Sequence, residues 1–393
     1  MKSASQLLPK GFDRELFLRQ YWQKKPLLIR AQSAEFVDPI TAEELAGLAC
    51  EDCVESRLII QNSDKAKWEL QTGPFGENTF ARLENKVWTL LVQAADQWHE
   101  GVRSMLSSFD FIPNWRIDDI MISYSTDSGG VGPHFDYYDV FLIQGSGQKR
   151  WRLGGHSDSN SQCLPDNSLR LLAEFECEED WVLNPGDILY IPPNWAHYGT
   201  AIGESITYSV GFRAPSIAEV IDDFSHEILA ELAPEQRYSD AAPYTIGATG
   251  EMRSDAGEQL SALLSATYTD PDRLGHWFAR YMTRPKYPEL FEALEPPLTP
   301  AQFAEQASKR GALLKNPSSR FAFRKLDTHC VLYVDGEDFE CSFEYLDILP
   351  ILCDTQDMDR DWTPLLQPLT HGMEIATSLY NQGSLLFADD YEE

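Results

Sequence analysis

The spacing of apolar and polar residues changes character twice along this chain. From Phe12 to Trp22 the apolar residues Leu16, Phe17 and Trp22 keep roughly helical spacing, and Pro26 ends that helix in a short extended run, Leu27-Leu-Ile. Thr41–Leu48 and Asn85–Trp98 also read as helices. The rest of the first half is a series of short runs rich in β-branched and aromatic residues: Leu58–Gln61, Lys67–Gln71, Asp119–Ser125, Asp136–Ile143, Lys149–Leu153, Asp180–Leu183, Ile188–Ile191 and Ser205–Phe212. Gly, Pro, Asn and Asp separate them, so they predict strands joined by tight turns and a sandwich or barrel. After Pro215 three helical segments follow, Ala218–Ala233, Ser254–Ala266 and Asp272–Met282, with a Gly/Ala/Pro loop at 241–250. Glu295-Pro-Pro-Leu-Thr-Pro300 is a second break. Beyond it a helix, strands Arg320–Phe323 and Val331–Val334, a turn at Asp335-Gly336, further helices and strand Ser384–Phe387 make a small α+β unit. The acidic run 389–393 reads as a frayed end. The expected division is 1–215, 216–295 and 296–393, mainly β with α additions.

Size and charge narrow the possibilities. A chain of 393 residues with 43% hydrophobic content can bury a full core over two or three domains. No uncharged apolar run reaches the ~18 residues that a membrane span needs, and the first residues lack an apolar signal core. A cytoplasmic protein with no membrane partner is expected. Seven scattered cysteines make no disulfide framework, and Cys50-x-x-Cys53 lacks the second pair that a zinc site requires. With 62 acidic and 32 basic residues the net charge is −30, which argues against direct nucleic-acid binding and favours a basic partner. Plain solubility by itself accounts for the charge better, and a basic partner gains weight only together with an iron site.

The candidate chemistry lies in Gly132-Pro-His134-Phe-Asp136. On a strand, His134 and Asp136 leave the same face. One imidazole and one carboxylate facing inward are two thirds of a facial triad, which holds Fe(II) and leaves positions open for co-substrate and oxygen. His197, in Gly186-Asp-Ile-Leu-Tyr-Ile-Pro-Pro-Asn-Trp-Ala-His197, is the expected third ligand. Parity places Lys149, Trp151 and Leu153 on one face of their strand and Arg150 and Arg152 on the other. The apolar set turns Lys149 inward, where it needs an anion. Gly145-Ser-Gly147 reads as a hairpin turn between two strands, and the other histidines lack partners at ligand spacing.

Gly186-x5-Pro192-x-Asn194-x2-His197 resembles the second motif of cupins, with Asn194 in place of glycine at a position where Asn tolerates left-handed backbone. Ala201 replaces the final asparagine of that motif. Lys149, fifteen residues after His134, makes the pattern similar to the JmjC branch of 2-oxoglutarate oxygenases. The stretches 17–30, 118–125, 134–151, 185–193 and 208–215 together resemble bacterial ribosomal oxygenases. These are JmjC proteins that hydroxylate the β-carbon of an arginine in a large-subunit ribosomal protein. The likeness is residue by residue up to about 215 and architectural beyond. It implies a double-stranded β-helix, then a helical dimerisation region and a winged-helix-like domain. It further implies Fe(II), replaceable by Mn(II), on His134, Asp136 and His197, with 2-oxoglutarate held by Lys149 and Ser123. A basic ribosomal protein would be the substrate and a homodimer the working state, and Asp127 and Tyr137 stand as candidate receivers for the guanidinium. A JmjC lysine demethylase remains an alternative, as does a cupin metalloprotein acting without 2-oxoglutarate, against which Lys149 argues.

Overall fold

The computed structural model describes residues 7–32, 36–62, 67–76, 78–83, 86–165, 169–239, 250–252, 254–291, 293–354, 358 and 360–391. Eleven strands build the first half: β1 (Leu27–Ile29), β2 (Ser56–Asn62), β3 (Lys67–Thr72), β4 (Val87–Val92), β5 (Ile117–Ser125), β6 (Val140–Gln144), β7 (Gln148–His156), β8 (Glu179–Leu183), β9 (Ile188–Ile191), β10 (Trp195–Ile202) and β11 (Ser205–Phe212). Eight of them form one sheet in the order β1-β9-β6-β11-β5-β4-β2-β3, and β10-β7-β8 form a second. Every pairing is antiparallel.

The larger sheet is covered on both faces. Its outer face carries Ile120, Ile122, Phe141, Ile143, Tyr190, Tyr208 and Val210, packed with Phe17, Leu45, Met105 and Phe109 from the flanking helices and turns. Its inner face carries Val140, Leu142, Leu189 and Ile191, packed with Trp151, Leu153 and Leu183 of the smaller sheet. Two antiparallel sheets enclosing one interior form the expected double-stranded β-helix.

Burial on both faces explains one failed expectation. Val87–Val92 was expected inside a helix spanning 85–98, but it is β4, paired with β2 and β5. Leu90 and Val92 enter the outer core, while Thr89 and Leu91 register with Ser125 and Ser123 on the inner face. Such a strand shows no polar/apolar alternation, so periodicity cannot separate it from a buried helix. Only Ala95–Trp98 is helical there. The expected strand over 136–143 begins at Val140. Gly145-Ser-Gly147 is not a hairpin turn, because β6 and β7 lie in different sheets; it carries the chain from one sheet to the other, with Gly147 at φ 71°.

In the C-terminal half, Phe224, Ile228 and Trp277 pack helices Ile217–Glu231 and Pro271–Thr283 together. The loop expected at 241–250 lies outside the described residues apart from Gly250. A separate core around Phe303, Leu332, Trp362 and Leu379 joins helices Pro300–Ala307 and Gly372–Asn381 to the sheet Phe321–Lys325, Cys330–Val334, Glu337–Cys341. Asp335 (φ 53°) and Gly336 (φ 93°) turn its hairpin, as a two-residue loop with left-handed backbone should. The run at 389–391 is not frayed: Arg310 pairs with both Asp389 and Asp390. Among the described residues no helix is long and apolar enough to cross a membrane.

Candidate metal centre and its cavity

His134 and Asp136 reach the barrel interior without a continuous strand. His134 forms an isolated antiparallel bridge with His197 of β10, the two residues exchanging backbone hydrogen bonds of 3.0 and 2.8 Å. Two residues on, the Asn194 N–H donates to the Asp136 carbonyl at 2.7 Å, with Asn194 at φ 68°. The left-handed conformation expected at Asn194 is therefore present, and it closes the turn that delivers His197. The ligand atoms of His134, Asp136 and His197 lie within 4.8 Å of one another, and the His197 Nε2 to Asp136 Oδ2 distance is 3.6 Å.

Both imidazoles are oriented in the same way. His134 Nδ1 is 2.9 Å from the Gly132 carbonyl and His197 Nδ1 is 2.9 Å from the Trp195 carbonyl. A carbonyl only accepts, so each Nδ1 carries the proton and each Nε2 presents its lone pair to the cluster. Burial, then the neighbouring His134, lowers the pKa of His197 to about 4, so it is neutral near pH 7. Two imidazole Nε2 atoms and one carboxylate suit a divalent metal of the Fe(II) or Mn(II) type.

The cluster opens into a cavity of about 780 Å³. At its inner end Lys149 is buried, and its ammonium makes one hydrogen bond, to Ser123 Oγ at 3.3 Å, beside the Trp151 ring at 5.2 Å. Among the described residues no carboxylate pairs with it, and burial alone lowers its pKa to about 8. Among the described residues, Trp151 Nε1 and, on the facing sheet, Thr207 Oγ1 and Gln144 Oε1 also lack partners. Thr207 is the register partner of both Ser123 and Gln144, so all three point inward at one level. A buried ammonium in an interior that also holds unpaired polar atoms fits a small carboxylate. Glycine keeps this corner open: a side chain at Gly199 would meet the Trp151 ring at 2.8 Å and Lys149 Cε at 3.0 Å. The expected outward arginines follow parity in part. Arg150 is exposed and paired with Asp180, whereas Arg152 is half-buried with its guanidinium 4.2 Å from the Tyr198 ring.

Further along the cavity stands a wall of mixed charge that sequence reasoning missed, with Arg57, Arg213, Lys286 and Arg320 set among carboxylates. Asp119 shares the inward face of β5 with Met121 and Ser123, and all three line the cavity with Asp118, Glu55 and Glu219. Strand parity from Ser123 was the signal that would have found Asp119. Asp127 and Tyr137 do not reach this wall: Asp127 accepts from the Gly203 N–H at the surface, and Tyr137 is exposed against Phe135. The Cys50/Cys53 pair stays apart from any cluster of metal-binding groups among the described residues.

Comparison with known proteins agrees with this geometry. Residues 104–220 match the JmjC domain model, and residues 262–385 match the ROXA-like winged helix. The Escherichia coli protein named ribosomal protein uL16 3-hydroxylase is 38% identical over 324 residues, 82% of this chain and 84% of that protein. A Haemophilus influenzae protein named a probable ribosomal oxygenase is 41% identical over 226 residues, 57% of this chain and 55% of that one. Among solved structures, Escherichia coli YcfD superposes with a TM-score of 0.83 at 32% identity, over 96% of this chain and 99% of that chain. YcfD in complex with cobalt and 2-oxoglutarate superposes with a TM-score of 0.80, at the same identity and coverage. The chain belongs to the bacterial JmjC-domain ribosomal oxygenases, with the JmjC barrel followed by a ROXA-like winged helix.

Proposed function

We propose that this protein is an Fe(II)- and 2-oxoglutarate-dependent hydroxylase of a ribosomal protein, acting on the β-carbon of an arginine. The observation that carries the reading is Lys149, a buried ammonium with no carboxylate partner among the described residues, in the same cavity as the His134/Asp136/His197 cluster. His134, Asp136 and His197 would hold the metal through two Nε2 atoms and one carboxylate oxygen, while Lys149 and Ser123 would receive the distal carboxylate of 2-oxoglutarate. Fe(II) bound there supplies the coupling of 2-oxoglutarate decarboxylation, to succinate and CO2, with transfer of one oxygen atom from dioxygen into a substrate C–H bond. The protein's own work is positioning. Gly132 and Trp195 carbonyls hold the imidazoles in one tautomer, and Trp151 and Leu153 pack the smaller sheet against Val140, Leu142 and Leu189 of the larger one.

The arginine assignment rests on Asp119. Asp119 is 3% exposed and lines the cavity, and a carboxylate there suits a guanidinium better than an apolar or acidic side chain. The name of the Escherichia coli relative, a 3-hydroxylase of uL16, puts the hydroxyl on carbon 3, which in an amino-acid residue is the β-carbon. The formal charge of −30 favours the approach of a basic protein over nucleic acid. Homodimerisation is part of the same reading. Ile217, Ile221 and Leu229 of helix Ile217–Glu231 are 73, 54 and 65% exposed, and Leu260, Leu263 and Leu264 of helix Ala256–Tyr268 add 47, 41 and 48%. A second copy would cover these faces. The division into catalytic 1–215, helical 216–295 and winged-helix 296–393 units is supported by the separate cores of the barrel, the helices and the C-terminal sheet.

The test is incubation of the full chain with Fe(II), 2-oxoglutarate and uL16. Succinate should appear in step with oxygen gained by uL16, and Asp119→Asn should lose both through a higher KM for uL16. Turnover of 2-oxoglutarate with uL16 unmodified, and formaldehyde released from methyl-lysine peptides instead, would favour a demethylase.

A further inference from the structure

Lys286 does not belong to the barrel. It follows helix Pro271–Thr283 in the connector toward the C-terminal unit, yet its ammonium reaches Asp119 Oδ2 at 2.7 Å and Asp118 Oδ2 at 3.0 Å. Three donors therefore converge on one oxygen of Asp119: Lys286 Nζ, Gln93 Nε2 at 2.7 Å and the Ala94 N–H at 3.0 Å. Among the described residues no donor reaches Oδ1. A side chain at Gly211, which also lines the cavity, would come within 3.8 Å of that oxygen. From the winged-helix unit, Arg320 donates to Asp118 Oδ1 and to its carbonyl, each at 2.9 Å. The next connector residue, Tyr287, donates to Glu55 at 2.8 Å.

We propose that Lys286 is a positioning residue for the substrate's cationic group: it holds the buried Asp119 carboxylate ionised, with Oδ2 occupied and Oδ1 open to the cavity. This rests on the reading of Asp119 as the guanidinium receiver. It gives the C-terminal half a part in the active site, because Lys286 and Arg320 enter the wall from beyond the barrel.

The electrostatics support the geometry. Burial pushes the Asp119 carboxyl up, Lys286 pulls it down, and the charge of Asp118 pushes it up again, leaving it above the ordinary range. For Asp118, burial is outweighed by Lys286 and then Arg320, and its carboxyl sits below that range. Lys286 itself, despite burial, is raised by Asp119 and Asp118 and stays charged. Three further cations of this cavity are bonded to groups other than Asp119: Arg57 of β2 to Gln93 and Met121, Arg213 to the Met282 and Arg284 carbonyls, and Arg320 to Asp118. Asp96, on the segment packed against β5, is raised to about 7 by burial and by Asp119. Tyr138 and Tyr287 are phenols kept protonated, Tyr138 first by Asp136 and Tyr287 first by burial and Glu55, with Asp119 adding to each. Without Lys286, Asp119 keeps the two influences that raise it and loses the largest one that lowers it. It would then carry a proton into the neutral range and attract a guanidinium less.

The test uses the full chain, an arginine-bearing uL16 segment and its twin with citrulline, a neutral isostere, at that position. In Lys286→Met the KM for the arginine segment should rise roughly tenfold near neutral pH, one pKa unit's worth of lost carboxylate. It should recover as pH rises, because the carboxylate that binds the cation reappears. The kcat at saturating segment and the KM for 2-oxoglutarate should not change. Lys286→Arg should restore the wild-type pH profile, and the citrulline twin should not distinguish the variants. If Lys286→Met is poorly folded, Lys286→Gln, which keeps a donor but not the charge, must give the same pH-dependent KM. A KM equal to or below wild type at every pH would overturn the proposal. If Asp119→Asn leaves the KM unchanged, the underlying reading fails; if only the Lys286 variants are silent, the receiver stands and this inference falls.

Discussion

Replacing Lys149 by Met should weaken co-substrate binding and strengthen the co-substrate-free fold at the same time. The side chain is 3% exposed, and burial lowers its pKa from 10.5 to about 8. At about 1.4 kcal/mol per unit, the charged form is disfavoured by about 3 kcal/mol below pH 8. Losing its bond to Ser123 and its contact with Trp151 costs roughly 1 kcal/mol, so Lys149→Met should gain about 2 kcal/mol, or several degrees in melting temperature. Because the folded-state pKa lies below the unfolded one, the unfolded chain binds more protons between pH 8 and 10.5. The penalty is complete below about pH 8 and fades as pH rises, and the gap between variant and wild type should narrow accordingly. Binding moves the other way: removing one partner of a buried charge pair costs roughly 3–5 kcal/mol, which is about a 10²- to 10⁴-fold loss of 2-oxoglutarate affinity. Calorimetric titration on Mn(II)-loaded protein reads the affinity, and thermal melts without 2-oxoglutarate read the stability. Wild-type affinity should also fall above about pH 8 as the free ammonium loses its proton. A variant that melts lower and binds 2-oxoglutarate as before would refute the reasoning, as would an equal effect from the exposed Arg150→Ala.

His134→Ala should leave Mn(II) content at background in elemental analysis while the melt is little changed, since its side chain is tied only to the Gly132 carbonyl outside the cluster. Gly199→Ala should raise the KM for 2-oxoglutarate and spare uL16 binding, because the new methyl would press on Trp151 and Lys149; steady-state kinetics with each substrate varied separates the two. Ile221→Asp combined with Leu264→Asp should convert a dimer to a monomer in light scattering, with the metal site intact. The association rate of uL16 in stopped flow should fall as salt is raised, because screening over ~8 Å at physiological ionic strength removes long-range attraction.

The proposed metal cluster was legible because its signals are local. A His-x-Asp pair and a Pro-Pro-Asn-Trp-Ala-His turn hold its three side chains in a few residues, and parity turned Lys149 inward, where it meets Ser123. The reasoning about His134 and Asp136 reached the right face by an inexact route, since an isolated bridge to His197 replaces the expected strand. β4 was lost because Leu90 and Leu91 are both buried, on opposite faces, and nothing in the run is polar enough to mark a strand. Asp119 was readable from Ser123 by counting four residues back. Lys286 was not readable at all: it is separated from Asp119 by 167 positions, and only packing of the connector against the barrel brings them together.

The central claim is tested most directly with isotope-labelled dioxygen. The full chain, Fe(II), 2-oxoglutarate and uL16 are incubated under the labelled gas, and uL16 is sequenced by tandem mass spectrometry. The account predicts one labelled oxygen on the β-carbon of a single arginine, one labelled atom in succinate, and neither product from His197→Ala. Label in succinate with none in uL16, or an oxygen on uL16 that comes from water, would contradict it.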